Sequence, residues 1–251
     1  MSADAERPTP DEPAADPLPM IQRYTPGVPY VHGMTISHRI FRTGLGVLPA
    51  LVRSVRPGDR DHARRLRRHY DMVSSSLDRH HGYEDEHIWP TIVERAPADA
   101  ALAHRMETQH ARVAQHLAAL PTAWDAFQDD PQPATGEPLA DRLDALCAAL
   151  NEHLDDEEQH LLPLLQRYLS VEEWNAFSTY ATKATRPYHL LLEGGMIYRQ
   201  MSPEEMADMT RLEPAAMWGI KLVSRPVYRR YERRLTTPTR RRSRRPALSR
   251  H

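Results

Sequence analysis

The chain has 251 residues and a formal charge of −1, so it has room for one sizeable domain with appendages and no overall attraction to nucleic acid or anionic membranes. A single cysteine excludes a disulfide framework within the chain, and no apolar run is long enough to span a membrane. The beginning of the sequence lacks the apolar core of a signal peptide, so we expect a cytoplasmic protein. The fourteen histidines are the unusual feature of the composition.

Both ends of the sequence have compositions typical of disorder. Residues 1–19 hold five acids, one base and five prolines, and residues 239–251 hold six arginines and no acid. Neither segment can bury enough apolar surface to offset the entropy lost on ordering. We therefore predict a disordered acidic segment at 1–30 and a disordered basic tail at 236–251.

Helical periods dominate the sequence between these ends, and no alternating pattern predicts a strand. Four long helices are predicted, at about 35–54, 59–94, 98–120 and 139–169, with a loop at 129–138. Pro90 and Pro163 lie inside the second and the fourth helix, and we expect Pro90 to bend its helix. Long helices with short links predict an all-α, up-down-up-down four-helix bundle over residues 31–169.

A helical extension is predicted over residues 170–235. The sequences SVEE at 170–173 and SPEE at 202–205 match capping boxes, which begin helices. Within the extension, residues 218–235 mix aromatic residues with arginines. With the arginines at 240–245, this segment could bind phosphates or an anionic membrane face, but we favour a solvated basic tail because no nucleic-acid-binding fold accompanies it.

The second and fourth predicted helices contain a repeated motif. Residues 80–90, HHGYEDEHIWP, return 73 positions later as HLDDEEQHLLP. The match pairs His80 with His153, Glu84 with Glu157, Asp85 with Glu158, His87 with His160, and Pro90 with Pro163. His38 also precedes His80 by 42 residues, and His110 precedes His153 by 43. The bundle is therefore predicted to be two helix hairpins, each carrying one histidine and then a His-x-x-x-Glu pair.

This spacing favours metal ligands. Positions i and i+4 of a helix lie about 40° apart around the axis and about 6 Å along it, so each pair points to one side. Carboxylates on the core stripe are costly unless paired or metal-bound, and two at one depth repel each other. Imidazole and carboxylate together suit Fe, Mn or Zn. We therefore predict a two-metal site, with room for a small molecule, made by His38, His80, Glu84, His110, His153 and Glu157.

These residues resemble the hemerythrin-like family, the HHE cation-binding group, over roughly residues 33–168. The resemblance implies a non-haem di-iron centre with two bridging carboxylates in a four-helix bundle. It implies binding or reduction of O₂, handling of NO or peroxide, or iron sensing. Two iron ions are thus the expected cofactor, although manganese accepts the same ligands.

The sequence departs from the oxygen-carrying hemerythrins at two places. Those proteins have a His-x-x-x-His pair in the third helix, whereas Met106 and Ala114 lie four residues either side of His110. They also use an aspartate five residues after the histidine of the fourth helix. That position is Glu158 here, and Glu157 is the better bridge. Fewer histidines imply a more open site, which argues against simple O₂ transport.

Other histidines have weaker cases. His81 could replace His80 or add a ligand, but we expect it to contact a metal ligand without binding the metal, or to lie on the surface. His87 and His160 are interpreted as flanking residues. They complete Glu-x-x-His, the motif of ferritin-like di-iron bundles, but the first helix lacks the acid that such a site needs.

Three functions remain open from the sequence. The first is a di-iron protein that binds or senses O₂, NO or peroxide. The second is a di-iron enzyme with catalase-like, peroxidase-like or oxidase activity, and a weaker third is a metal-free helical adaptor with a basic tail. We expect a diatomic or peroxide ligand, no specific nucleic acid partner and no membrane span.

Overall fold

The computed structural model describes residues 22–239 of the chain. Disorder is predicted at 1–30 and 236–251, and residues 1–21 and 240–251 of these segments lie outside the described residues. The described parts are packed: Tyr30 is buried, Arg23 bonds to Asp208, and the backbone N–H of Thr239 bonds to Asp59. Across residues 22–239 every regular element is helical, which confirms the all-α fold class. None of the helices in this range is both long and apolar enough to cross a membrane.

The helices of the described chain follow each other with short links. In order they are α1 His32–Gly46, α2 Leu48–Arg53, α3 Arg60–Tyr83, α4 Trp89–Arg95, α5 Ala100–Ala118, α6 Pro121–Asp129, α7 Pro133–Asp156, α8 Leu162–Tyr168, α9 Val171–Ala184, α10 Pro187–Gln200, α11 Pro203–Leu212, α12 Pro214–Gly219 and α13 Arg225–Thr236. A 3₁₀ turn, Pro97–Asp99, precedes α5. The predicted bundle helices correspond to α1 with α2, α3 with α4, α5, and α7 with α8.

These elements form the predicted four-helix bundle. The α1 helix packs against α3 and α7, and α5 packs against α4 and α7. Asp59 caps α3, because its side chain accepts a hydrogen bond from the backbone N–H of His62. The short links between the bundle helices place consecutive helices side by side in opposite directions.

The bundle core has two apolar clusters with a polar layer between them. On α1, Met34 belongs to one cluster, Ile40 belongs to the other, and His38 lies between them. The corresponding flanking pairs are Leu77 and Ile88, Met106 and Val113, and Leu150 and Leu161. The predicted ligands of all four helices therefore lie in one layer with apolar side chains on both sides, which keep water out and strengthen electrostatic interactions.

Two of the prolines in the repeat lie just after a widened helical turn. In residues 22–239, π-helical turns occur at Glu84–Ile88, Glu157–Leu161 and Ile220–Ser224. Each begins six residues before a proline: Pro90, Pro163 and Pro226. Proline has no N–H, and its ring clashes with the carbonyl four residues earlier, so a wider turn avoids both problems. The third turn lies outside the bundle layer, so the widened turns accompany these three prolines and do not depend on the ligand layer.

The structure corrects the predicted loop at 129–138. The α7 helix already begins at Pro133, where proline at the first helical position loses no hydrogen bond. Gln132 and Thr135 close its first turn as a capping box. The extra helix α6 fills the connection from α5, and Phe127 on it packs 3.2 Å from where a Cβ at Gly136 would lie. The cluster of prolines, glycine and acids suggested a loop because these residues are also typical of turns.

The extension is helical, as predicted, and it packs on the bundle. Both predicted capping boxes form, since Ser170 pairs with Glu173 and Ser202 with Glu205. The α10 helix contacts α1 and pairs closely with α13. At this crossing a Cβ on Gly195 would lie 2.6 Å from the backbone oxygen of Ser224, so glycine permits the close approach. The proposed division of the chain at residue 169 stays a prediction.

Candidate metal centre

The six predicted ligands lie together in the polar layer of the bundle. His38 comes from α1, His110 from α5, and the two His-x-x-x-Glu pairs come from α3 and α7 with the π turns that follow them. Each glutamate is the first residue of its π turn. All six side chains are buried, and His38, Glu84, His153 and Glu157 have no exposed surface.

The ligand atoms form two overlapping groups that could each hold an ion. One group is His81, Glu84, His110 and His153, and the other is His38, His80, Glu84 and Glu157. Within each group the candidate ligand atoms lie within 4.8 Å of one another. Glu84 belongs to both groups, as a bridging carboxylate would.

Imidazole nitrogens face each other in pairs inside this layer. The Nε2 atoms of His38 and His80 are 3.2 Å apart, and those of His110 and His153 are also 3.2 Å apart. Two ligand atoms each about 2.1 Å from one ion and at right angles to each other are about 3 Å apart. The spacing of both pairs therefore fits two adjacent ligands of a common metal ion.

Carboxylates outside the layer orient two of these rings. Nδ1 of His38 lies 2.8 Å from Glu158 Oε1, and Nδ1 of His110 lies 2.7 Å from Asp85 Oδ1. A carboxylate only accepts hydrogen bonds, so each Nδ1 carries the proton and each Nε2 presents a lone pair to the centre. Asp85 and Glu158 align in the repeat, but their orienting role could not be predicted from the sequence because their partners come from other helices.

Burial sets the protonation of the layer. It lowers the pKa of His80 well below its ordinary value and lowers the pKa of His153 to about 2, so these imidazoles are neutral at pH 7 and available as ligands. Burial, and then the neighbouring carboxylate of Glu157, raise the pKa of Glu84 well above its usual range. Burial likewise raises the pKa of Glu157.

The buried glutamate oxygens have no hydrogen-bond donor from another residue of the described chain. The one hydrogen bond open to Glu84 and Glu157 is a proton shared between their two carboxyls. The surrounding Nε2 atoms lie 3.2 to 3.6 Å away, but without hydrogen-bond geometry. Buried carboxylates without donors are costly, and a cation between them would satisfy their lone pairs. The residues present therefore fit a pair of metal ions.

His81 is better placed than the sequence suggested. The surface interpretation is wrong, because only 7% of His81 is exposed. Its ring stacks on that of His110, with centroids 3.9 Å apart, and its Nε2 is buried without a hydrogen-bond partner among the described residues. The spacing of three residues from Glu84 was the available signal, but it did not decide between His80 and His81, which lie in different groups.

The remaining histidines of the predicted helices stay outside the centre. His87 and His160 have side chains about half exposed, at 56% and 46%, as expected of flanking residues. His62 and His69 are buried, but they bond to backbone oxygens of Leu235 and Gly44. None of these four belongs to either ligand group in the described chain.

The α9 helix covers one side of the layer. Phe177 on α9 lies 5.5 Å from the ring of His80 and 5.0 Å from that of Tyr83, between ring centroids. Tyr83 also contacts Tyr180 at 4.8 Å. The surface depression beside these rings is lined by Tyr83, Tyr180 and Lys183 among others. Phe177 therefore separates His80 from solvent on this side.

Comparison with known proteins gives one match. A family model described as the hemerythrin HHE cation binding domain matches residues 30–165. No curated protein and no solved structure matches the chain significantly.

Proposed function

This chain belongs to the hemerythrin HHE cation-binding family, and we propose that it is a di-iron protein that binds or senses O₂, NO or peroxide. The family and the histidine-glutamate groups support cation binding, and the choice of iron and the number of ions are the proposal. The observation that carries it is the pair of ligand groups sharing Glu84. One shared carboxylate brings two ions close enough to act on one small ligand.

In this proposal the two ions have different surroundings. One is held by His81, His110, His153 and Glu84, and the other by His38, His80, Glu84 and Glu157. Non-haem iron sites with histidine and carboxylate ligands work with open positions, where small ligands bind and accept or donate electrons. His81 adds an imidazole beside His110, where the third helix lacks the second histidine of the oxygen carriers. With His81, the two ligand groups contain five histidines, one more than the six predicted ligands included.

The protein orients the ligand rings, fixes the position of their protons and limits access of water to the centre. Asp85 and Glu158 hold the Nδ1 protons of His110 and His38, which keeps Nε2 of each ring available. The apolar clusters on both sides of the layer limit access of water. A cytoplasmic setting is also part of the proposal, and it rests on the single free Cys147.

The test is metal analysis and visible spectroscopy of protein from iron-supplied cells, before and after O₂, NO, azide and peroxide. The proposal expects bound iron and an absorption band that changes with these ligands and is lost in His153→Ala. His87→Ala, an exposed histidine near the same layer, is the matched control and should leave both unchanged. Iron well below one ion per chain, unaffected by His153→Ala, would contradict the proposal.

The same sample separates binding from catalysis. Sustained O₂ release from peroxide that is lost in Glu84→Ala would favour the enzyme. A stable band without turnover would favour binding or sensing. A metal-free protein with an unaltered fold would favour the helical adaptor.

A further inference from the structure

The outward side of α12, the π turn and α13 exposes large apolar side chains. Trp218 is 64% exposed, Leu222 is 60% exposed and Val223 is 47% exposed. The exposed large apolar residues elsewhere in the described chain, Val47, Tyr180 and Tyr188, lie on three other helices or links. Three such residues within six positions form a patch, and patches of this kind on a folded protein mark interaction sites.

These side chains are exposed because the other side of the same segment is used for packing. Met217, Ser224, Tyr228 and Leu235 are buried. The segment packs against α10 through both the π turn and α13. Trp218, Leu222 and Arg225 follow one another at helical spacing on the opposite side, so one side of this segment is packed and the other is exposed.

The same outward surface is strongly basic. Its exposed bases in residues 214–236 are Lys221, Arg225, Arg229, Arg230, Arg233 and Arg234. The segment contains one acid, Glu232, which is paired with Arg199 of α10. Within the described residues, Lys221, Arg229, Arg230 and Arg233 form no ion pair with an acid. We call the side formed by Trp218, Leu222, Val223 and these bases the basic-apolar face.

We propose that the basic-apolar face docks on an anionic lipid membrane, with α12 and α13 lying along its surface. Tryptophan and leucine insert at the boundary between headgroups and acyl chains, and arginines reach the phosphates beside them. A second copy of the chain is disfavoured as occupant because it would bring two sets of like charges together. Nucleic acid would use the arginines but has no use for exposed Leu222 and Val223.

The experiment is binding of the full chain to phosphatidylcholine vesicles with and without phosphatidylserine, followed by sedimentation and tryptophan fluorescence. Trp89, Trp124 and Trp174 are buried, so a blue shift on adding vesicles reports on Trp218. Binding should require phosphatidylserine and weaken with added salt. At about 1 kcal/mol for each arginine, Arg229→Ser with Arg230→Ser should weaken binding about 30-fold.

A second double variant measures the apolar contribution to binding. Trp218→Ser with Leu222→Ser should bind anionic vesicles at least about tenfold more weakly, since burial of these side chains is lost. Val47→Ser, on the α1–α2 link, is the apolar control. Arg64→Ser on α3 with Arg142→Ser on α7 is the charge control. All three residues are exposed and lie outside the basic-apolar face. Neither control should change binding, and circular dichroism checks that every variant is folded.

Three results would overturn the proposal. One is equal binding with and without phosphatidylserine, or none with either. Another is tight binding to a DNA or RNA oligonucleotide that is unaffected by Trp218→Ser with Leu222→Ser, which would assign the face to nucleic acid. The third is a lipid-independent dimer in which Trp218 is already shielded, which would assign it to a second copy.

Discussion

Two imidazoles of the metal centre, His38 and His110, are oriented by charged side chains from other helices. Asp85 and Glu158 occupy equivalent places in the sequence repeat, and each contacts the Nδ1 atom of a histidine from the other hairpin. The repeat therefore crosses over in space. A single sequence predicts which residues are duplicated, but not which partner a side chain reaches across a bundle, because that depends on packing distances.

Loss of an orienting carboxylate should weaken metal binding without removing a ligand. Asp85→Asn can donate to His110 Nδ1 and so permits the wrong tautomer, which should lower metal affinity roughly 10- to 100-fold. Competition with a chelator measures this. Asp125→Asn, an exposed acid of α6 paired with Arg67, is the control and should have the wild-type affinity. Wild-type affinity in Asp85→Asn would contradict the orienting role.

Glu205 is buried like the two carboxylates of the metal centre, but it has hydrogen-bond donors. Arg39 contacts both of its oxygens, at 2.7 and 2.6 Å, and His32 Nε2 lies 2.7 Å from Oε1. Burial alone would raise the pKa of Glu205, but the hydrogen bonds from Arg39 and the backbone of Ser202 lower it to about 2. These contacts connect α11 to α1.

The lowered pKa of Glu205 predicts a dependence of stability on pH. Its stabilising contribution is present above the unfolded-state pKa of about 4.5 and is lost as the pH falls toward about 2. The difference in free energy of unfolding between wild type and Glu205→Gln should therefore shrink over this range. Urea unfolding at several pH values measures it. Glu213→Gln, an exposed acid directly after the same helix, is the control, and a constant difference for Glu205→Gln would contradict the assignment.

At the scale of elements, both carboxylate ligands lie in widened turns that precede the prolines of the repeat. The turns that begin at Glu84 and Glu157 are π-helical, and the wider turn accommodates the missing N–H and the ring of Pro90 and Pro163. The sequence predicted the four bundle helices and the two His-x-x-x-Glu pairs from their period. It did not predict the widened turns, since a proline inside a helix permits a bend or a π turn equally well.

The α9 helix is the element that the sequence placed least well. Its capping box predicted its beginning, but nothing in the sequence indicated that Phe177 would lie against His80. Contacts between an appended helix and a bundle depend on how the apolar sides meet, and many arrangements satisfy the same apolar pattern. The burial of His81 was not predicted for a similar reason. Neighbouring residues on a helix point in different directions, and only the packing of the bundle determines which of them faces the centre.

Phe177 should control access to the centre. Phe177→Leu should speed removal of metal by a chelator several-fold, because the ring that separates His80 from solvent is replaced by a smaller side chain. Phe127→Leu makes the same change in the core near Gly136, away from the ligand layer, and should leave the rate unchanged. Stopped-flow chelation measures both. Equal rates in the two variants would show that α9 does not limit access.

At the scale of the whole molecule, metal binding and folding should be coupled. Two buried carboxylates without donors destabilise the metal-free bundle and stabilise the loaded one. Glu157→Gln should therefore lower the midpoint of thermal unfolding when metal is present. In excess chelator it should be at least as stable as wild type. Glu172→Gln on the exposed side of α9 is the control, and a variant less stable than wild type in chelator would contradict this coupling.

The number of ions and their separation test the central claim most directly. Metal analysis of the iron-loaded chain, combined with X-ray absorption spectroscopy, measures both. The shared position of Glu84 predicts two ions per chain, roughly 3.5–4 Å apart, with mixed nitrogen and oxygen ligands and a loss of the metal–metal signal in Glu84→Gln. A single ion per chain after full loading, or two ions without a metal–metal signal, would contradict the claim that the two ligand groups form one di-iron centre.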